Sequence, residues 1–115
     1  MSGTYIIYET TKKGKEYFGH DDSLIFEGEY LNGKRNGKGK EYNRAGNVKF
    51  EGEYLNGKRK GKGKEYNSEY YCLIFEGEYL NGLKWNGKGY NNHNNIVYRL
   101  NNGNGYIIDY YNNGK

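Results

Sequence analysis

An eight-residue block, Phe26-Glu27-Gly28-Glu29-Tyr30-Leu31-Asn32-Gly33, returns unchanged as Phe50 to Gly57 and again as Phe75 to Gly82, at spacings of 24 and 25 residues. A period of that length means stacked copies of one supersecondary unit, none of which can bury its apolar face alone. Each block leads into a basic stretch and a Gly-Lys-Gly triplet: Lys34-Arg35-Asn36 before Gly37 to Gly39, Lys58-Arg59-Lys60 before Gly61 to Gly63, and Leu83-Lys84-Trp85-Asn86 before Gly87 to Gly89. The first two continue as Lys-Glu-Tyr-Asn, to Asn43 and Asn67, whereas the third turn is one residue longer and Gly89 is followed at once by Tyr90. Lys13 to Tyr17 is the second half of a degenerate unit, about residues 4–23, whose first half is Tyr5 to Tyr8. Well-formed units cover about 24–46, 47–72 and 73–95, and a looser one, about 96–115, holds Ile96 to Leu100, the turn Asn101-Asn102-Gly103 and Tyr106 to Tyr111. With 115 residues, the chain 1–115 reads as a single array forming one module.

Within a unit the signals are those of a β-hairpin. Phe26, Gly28 and Tyr30 alternate with Glu27 and Glu29, a period of two that puts three residues on one face of a strand. The Asn-Gly pairs supply the positive φ of a tight turn, and Gly37 and Gly39 alternate with Lys38 and Lys40 on the return strand. The expected register lays the rings over bare glycines on one face and sets Lys38 and Lys40 against Glu27 and Glu29 on the other. Such exposed pairs contribute only ~0.2–1 kcal/mol each, so aromatic burial must carry the fold. Alternation also puts Glu41 and Glu65 on the aromatic face, a misfit that a bulge near them would resolve.

Composition supports a thin structure. Leu, Ile, Val and Phe number 20 of 115, about 17%, below the ~20% where disorder becomes a serious reading. Against disorder stand 15 tyrosines, a net charge of only +4, and the regular placement of the aromatics. The absence of Pro, with 19 Gly and 17 Asn, argues against long helices and for an all-β chain with many turns.

The unit Phe/Tyr-x-Gly-x-Tyr-x-x-Gly followed by Gly-x-Gly resembles the MORN (membrane occupation and recognition nexus) repeat. Three close copies cover roughly residues 13–90, with Tyr where Trp is common in the family. The resemblance implies a linear array of antiparallel β-hairpins in a single elongated, twisted and curved sheet, a MORN-repeat solenoid. It carries over framework positions only: the aromatics Phe26, Tyr30, Phe50, Tyr54, Phe75 and Tyr79, and the glycines Gly28, Gly37, Gly39, Gly52, Gly61, Gly63, Gly77, Gly87 and Gly89. It implies no activity, because the family serves mostly in scaffolding, self-association or membrane attachment.

The residues themselves offer little catalytic chemistry. His20 and His93 lie in expected loops, neither with a second histidine at ligand spacing, and the pair Asp21-Asp22 lacks the further oxygens a calcium ion needs. Gly33 to Lys38 has the outline of a phosphate loop, but it is a residue short and Gly39 stands where Ser or Thr is required. Cys72 has no histidine partner, and Ser2, Ser23 and Ser68 lie in no nucleophile motif. We therefore expect no enzyme activity, no cofactor, no metal and no small-molecule substrate. One cysteine, short apolar runs and a start, Met1 to Thr10, without signal-peptide character suggest a cytoplasmic protein, or one peripheral at a membrane. Basic and acidic residues interleave, 18 against 14, which argues against a nucleic-acid partner.

Three surfaces remain. Stacking would align Lys34, Arg35, Lys58, Arg59, Lys60 and Lys84 in a row of turns able to meet an anionic partner or acidic phospholipid. The Phe/Tyr stripe reads as core, with an open part able to cradle a partner helix, and Trp85 as an exposed hot spot for a partner. The terminal strands, Tyr5 to Tyr8 and Tyr106 to Tyr111, could pair with a second copy in a homodimer. The expectation is a non-catalytic repeat scaffold for protein–protein interaction or self-association. The alternative is a peripheral module binding acidic phospholipids through its turns.

Overall fold

The computed structural model describes residues 3–67, 69 and 71–107, the last two, Tyr106 and Ile107, by backbone alone. Ten strands follow one another: β1 Thr4–Tyr8, β2 Lys13–Phe18, β3 Leu24–Leu31, β4 Lys34–Tyr42, β5 Val48–Leu55, β6 Lys58–Asn67, β7 Cys72–Leu80, β8 Leu83–Tyr90, β9 Ile96–Asn101 and β10 Asn104–Ile107. Each pairs antiparallel with its neighbours in sequence, so the sheet runs β1 to β10 in order and stays open. The all-β hairpin array is therefore the observed fold. Its extents are 51 × 28 × 21 Å, and its radius of gyration of 16.1 Å exceeds the roughly 13 Å of a compact chain of this length. A flat sheet would be thinner than 21 Å, so the array is curved and twisted. Residues 108–111 of the expected terminal strand, with Ser2, Ser68 and Lys115, lie outside the described residues.

The turns form as their chemistry requires. Asn32-Gly33, Asn56-Gly57, Asn81-Gly82 and Asn102-Gly103 all have positive φ at both positions, the signature of a two-residue type I′ turn. Successive turns are stapled through the backbone: the amides of Gly57, Gly82 and Gly103 donate to the carbonyls of Arg35, Arg59 and Trp85 in the preceding hairpin, at 2.8–2.9 Å.

Register follows the expected alternation, with Gly28 opposite Gly39 and Glu27 opposite Lys40. Two bulges punctuate it. Between the pairs Gly28↔Gly39 and Tyr30↔Arg35, residues 36–38 face the single residue Glu29, and Gly37 takes a φ of 105° to make the detour. A second shift falls between Glu41 and Tyr42 against β5 and recurs after Glu16, Glu65 and Gly89. The bulge thus lies just beyond the glutamates and leaves Glu41 and Glu65 on the aromatic face.

The third unit corrects the alignment read from sequence. Gly77 faces Gly87 and Phe75 faces Gly89, so Gly87 stands where Gly39 and Gly63 stand, and Gly89 where Glu41 and Glu65 stand. From the turn to that glycine there are four residues, 83–86, against five, 34–38, in the first unit. The stretch is shortened by one residue, because this hairpin carries a smaller bulge. Gly89 has its own use. The ring of Tyr98 occupies the space a Cβ there would need, and it stacks on Phe75 at 6.2 Å.

The core is a single row on one face. Phe26, Phe50 and Phe75 are fully buried, with Tyr30, Tyr54 and Tyr79 nearly so. Each Phe meets the Tyr of its own strand edge-on at 5.6–5.7 Å. Phe26 and Phe50 also meet the Tyr of the next unit, Tyr54 and Tyr79, at 5.1 Å. Edge-to-face rings at these distances contribute ~0.5–1.5 kcal/mol each beyond their burial. Nothing of this stripe is left open to cradle a helix.

Candidate functional site

What closes the aromatic face is a ladder of charges. Arg35 lies 4.2 Å above the Phe26 ring and Arg59 3.9 Å above Phe50, while the Lys84 ammonium sits 4.9 Å above Phe75. Arg59 grips Glu41 with two nitrogens, at 2.9 and 3.0 Å, and reaches Glu65 at 3.1 Å. Arg35 holds both oxygens of Glu16, at 3.0 and 3.1 Å, and approaches Glu41 at 3.9 Å. Lys84 lies 3.9 Å from Glu65 and donates to the Tyr98 hydroxyl at 3.0 Å. Tyr30, Tyr54 and Tyr79 donate to Glu16, Glu41 and Glu65. The sequence Glu16–Arg35–Glu41–Arg59–Glu65–Lys84 alternates in sign across the array, each group serving two hairpins.

These contacts tune the groups involved. Burial pushes the Glu41 carboxyl up, but hydrogen bonds from Arg59 and Tyr54 and the charges of Arg59 and Arg35 outweigh it, leaving it below its ordinary value. Burial and the carboxylate beside each hydroxyl raise Tyr54 and Tyr79.

The ladder corrects the expectation of an anion-binding row. Arg35 and Arg59 are stacked on rings and paired with carboxylates, and Lys84 is held between Tyr98, Phe75 and Glu65, so none of the three is offered to an anion. Lys34, Lys58 and Lys60 are exposed. Trp85 is half-buried, with its ring against Gly103 of the next turn, and is not the exposed hot spot expected.

The opposite face carries a trough. Gly14, Gly28, Gly39, Gly52, Gly63, Gly77 and Gly87 pair directly from strand to strand, one unbroken row across β2 to β8. Their missing side chains leave room on the other face for the Phe rings, and here their backbone floors a trough of about 950 Å³. Charged side chains rise on both sides of the floor, and within a strand they share one sign. Lys13 and Lys15, Glu27 and Glu29, Lys38 and Lys40, Glu51 and Glu53, Lys62 and Lys64, and Glu76 and Glu78 make six bands of alternating charge, with Lys88 beginning a seventh. The row ends at β9, where Leu100 faces Gly87.

The carboxylates of this face are tethered and the lysines are not. Glu29 and Glu53 accept from the amides of Lys38 and Lys62 at 2.6 and 2.8 Å, and Glu78 accepts from the Asn86 amide group at 2.9 Å. Tyr42 and Tyr90 donate to Glu27 and Glu76, both at 2.6 Å. Burial and its hydrogen bond to Glu27 push the Tyr42 hydroxyl up to about 12, and burial and Glu51 raise Tyr66 in the same way. Among the described residues the lysines of the bands make no ion pair except Lys15 with Glu9, at 3.4 Å. Sequence reading does not find these tethers, although the Tyr that directly follows Gly39-Lys40-Glu41, Gly63-Lys64-Glu65 and Gly87-Lys88-Gly89 is a signal for them.

The remaining candidates do not converge. His20 and His93 lie in exposed turns, and Asp21 accepts from the amide and hydroxyl of Ser23. Cys72 is half-buried at the start of β7. No group of three or more His, Cys, Asp or Glu side chains could share a metal ion among the described residues. Nor is there among them a helix long and apolar enough to cross a membrane.

An open sheet of stapled hairpins, with one closed aromatic face and one charged trough, defines a single-layer β-solenoid. The family model of the MORN repeat matches residues 26–48 and 50–68, two successive units of the array, so this part of the chain is built of MORN repeats. The matched stretches cover the two units with five residues between turn and glycine row. No curated protein matches the chain. MORN repeats are generally non-catalytic modules, known in protein–protein and membrane-associated scaffolds.

Proposed function

We propose that this array is a non-catalytic scaffold that seats a protein segment in the trough of its charged face. The observation that carries the reading is the trough itself, whose floor of backbone runs across seven strands, β2 to β8, between walls of charged side chains. The aromatic face has no such room, since its rings are capped by Arg35, Arg59 and Lys84. Selection of a displayed random peptide library on the protein tests it. Enriched peptides should compete with one another and lose binding when Glu51→Lys and Glu53→Lys are introduced together. No enrichment over an unrelated β-sheet protein, or enrichment indifferent to those changes, defeats the reading.

Self-association is a second form of this function, favoured by one observation: β1 is an edge strand with Ile7 54% and Tyr8 48% exposed. The acidic-phospholipid alternative retains Lys34, Lys58 and Lys60 as its contacts. A cytoplasmic setting fits the single half-buried thiol of Cys72.

A further inference from the structure

We infer that the occupant of the trough is an extended, polyproline-II-like segment carrying Lys or Arg at every third residue, each cation seated between the two carboxylates of one Glu band. The inference rests on the reading of the trough as a docking site for protein, and it follows from the period and the charges.

Across β2 to β8 the trough crosses six strand spacings, about 29 Å at ~4.8 Å each. The trough is open to solvent along this length, so the occupant is selected by how its side chains repeat along the floor. The Glu bands recur once per hairpin, every two strands, or about 9.6 Å. Side chains on one side of a polyproline-II helix recur every three residues, or about 9.3 Å, so cations three apart stay in step with three successive bands. A β-strand repeats its face at about 6.7 Å, and an α-helix returns a residue to the same side at about 10.5 Å after seven, so both drift out of phase.

The charges select the sign. Each carboxylate pair, such as Glu51 and Glu53, stands on one strand on either side of the glycine floor, and the hydrogen bonds described above already hold it in place. A cation bound there costs little ordering of the protein. The lysines between the bands have no such tethers, so they can swing toward acidic groups on the outward sides of the same segment. The fitting sequence is therefore a basic residue every third position with an acidic one between.

Fluorescence polarisation with two labelled nonapeptides of equal composition provides the test. One has three Lys-Pro-Glu triplets, and the other groups its three lysines, three prolines and three glutamates in blocks. The triplet peptide should bind at least ten-fold more tightly. The double variant Glu51→Gln and Glu53→Gln keeps an acceptor for Tyr66 and for the Lys62 amide but removes both charges. It should weaken the triplet peptide at least five-fold with an unchanged circular dichroism spectrum and melting temperature. Equal affinity for both peptides, absence of triplet binding, or a face-to-face dimer of this chain that the double variant dissolves would each overturn the inference. Library peptides that compete in the trough but lack the three-residue period would overturn it while leaving the docking function standing. A library that enriches nothing defeats both.

Discussion

Gly52 shows most directly how a single residue answers to both faces. A Cβ on it would lie 2.6 Å from the Lys62 carbonyl oxygen, 2.7 Å from the Gly63 Cα and 2.8 Å from the Phe50 ring, two of them backbone-fixed neighbours. Substituting Gly52→Val should therefore destabilise the protein by about 3 kcal/mol, the range of overpacked cores, whereas Lys49→Ala on the exposed surface should stay within ~0.5 kcal/mol. Equal melting temperatures for the two variants would show that the rings can move off the glycine row. The framework role of this glycine was readable from the alternation Phe-x-Gly-x-Tyr. The partner of Glu41 was not, because its ligands Tyr54 and Arg59 come from the next unit, 13 and 18 residues away.

At the scale of the hairpin, the wide bulge decides where the return strand places its lysines. Gly61 takes a φ of 97°, and a Cβ there would collide with the Glu53 carboxylate that tethers the strand. Gly46 also has a positive φ, 89°, but nothing stands within 4 Å of its missing Cβ. Gly46→Ala should thus show the backbone cost alone, about 1–2 kcal/mol. Gly61→Ala should cost more, and urea titrations of the two variants measure the difference. The same bulge explains why the third unit was misaligned from its sequence. Repeating residue types fix a hairpin's period, but the number of residues looped out of a strand is set by pairing with the opposite strand.

Across the whole molecule, the charge ladder makes stability depend on pH at both ends. The Glu41 carboxyl is lowered in the fold, so its contribution is complete above about pH 4.5, its ordinary value, and is lost as pH falls through the lower folded value. Tyr54 and Tyr79 are raised, so their contribution is complete below about pH 10 and is lost as pH rises beyond it, with Tyr42 following toward about 12. Thermal melts should show a plateau between these limits, and Tyr54→Phe combined with Tyr79→Phe should flatten the alkaline limb. The ladder also separates two kinds of basic residue. Arg35→Ser with Arg59→Ser should lower the melting temperature sharply, because half-buried carboxylates lose their partners. Lys34→Ser, Lys58→Ser and Lys60→Ser together should leave it unchanged. Flotation of the triple lysine variant with acidic liposomes then reads out the lipid alternative alone. We expect little flotation of the parent protein at physiological salt, where exposed charges act over only ~8 Å.

The period, the hairpins, the Asn-Gly turns and the aromatic and glycine framework were all determined by the sequence itself. They rest on local rules, period-two alternation and positive φ, and the repetition writes each of them several times. Only the tertiary structure decided which cations are spent inside the fold, that Gly87 and not Gly89 continues the glycine row, and that one face is sealed while the other holds a trough. Those outcomes depend on cross-strand partners supplied by neighbouring hairpins and on bulges that shift register by a residue, and no local pattern carries either.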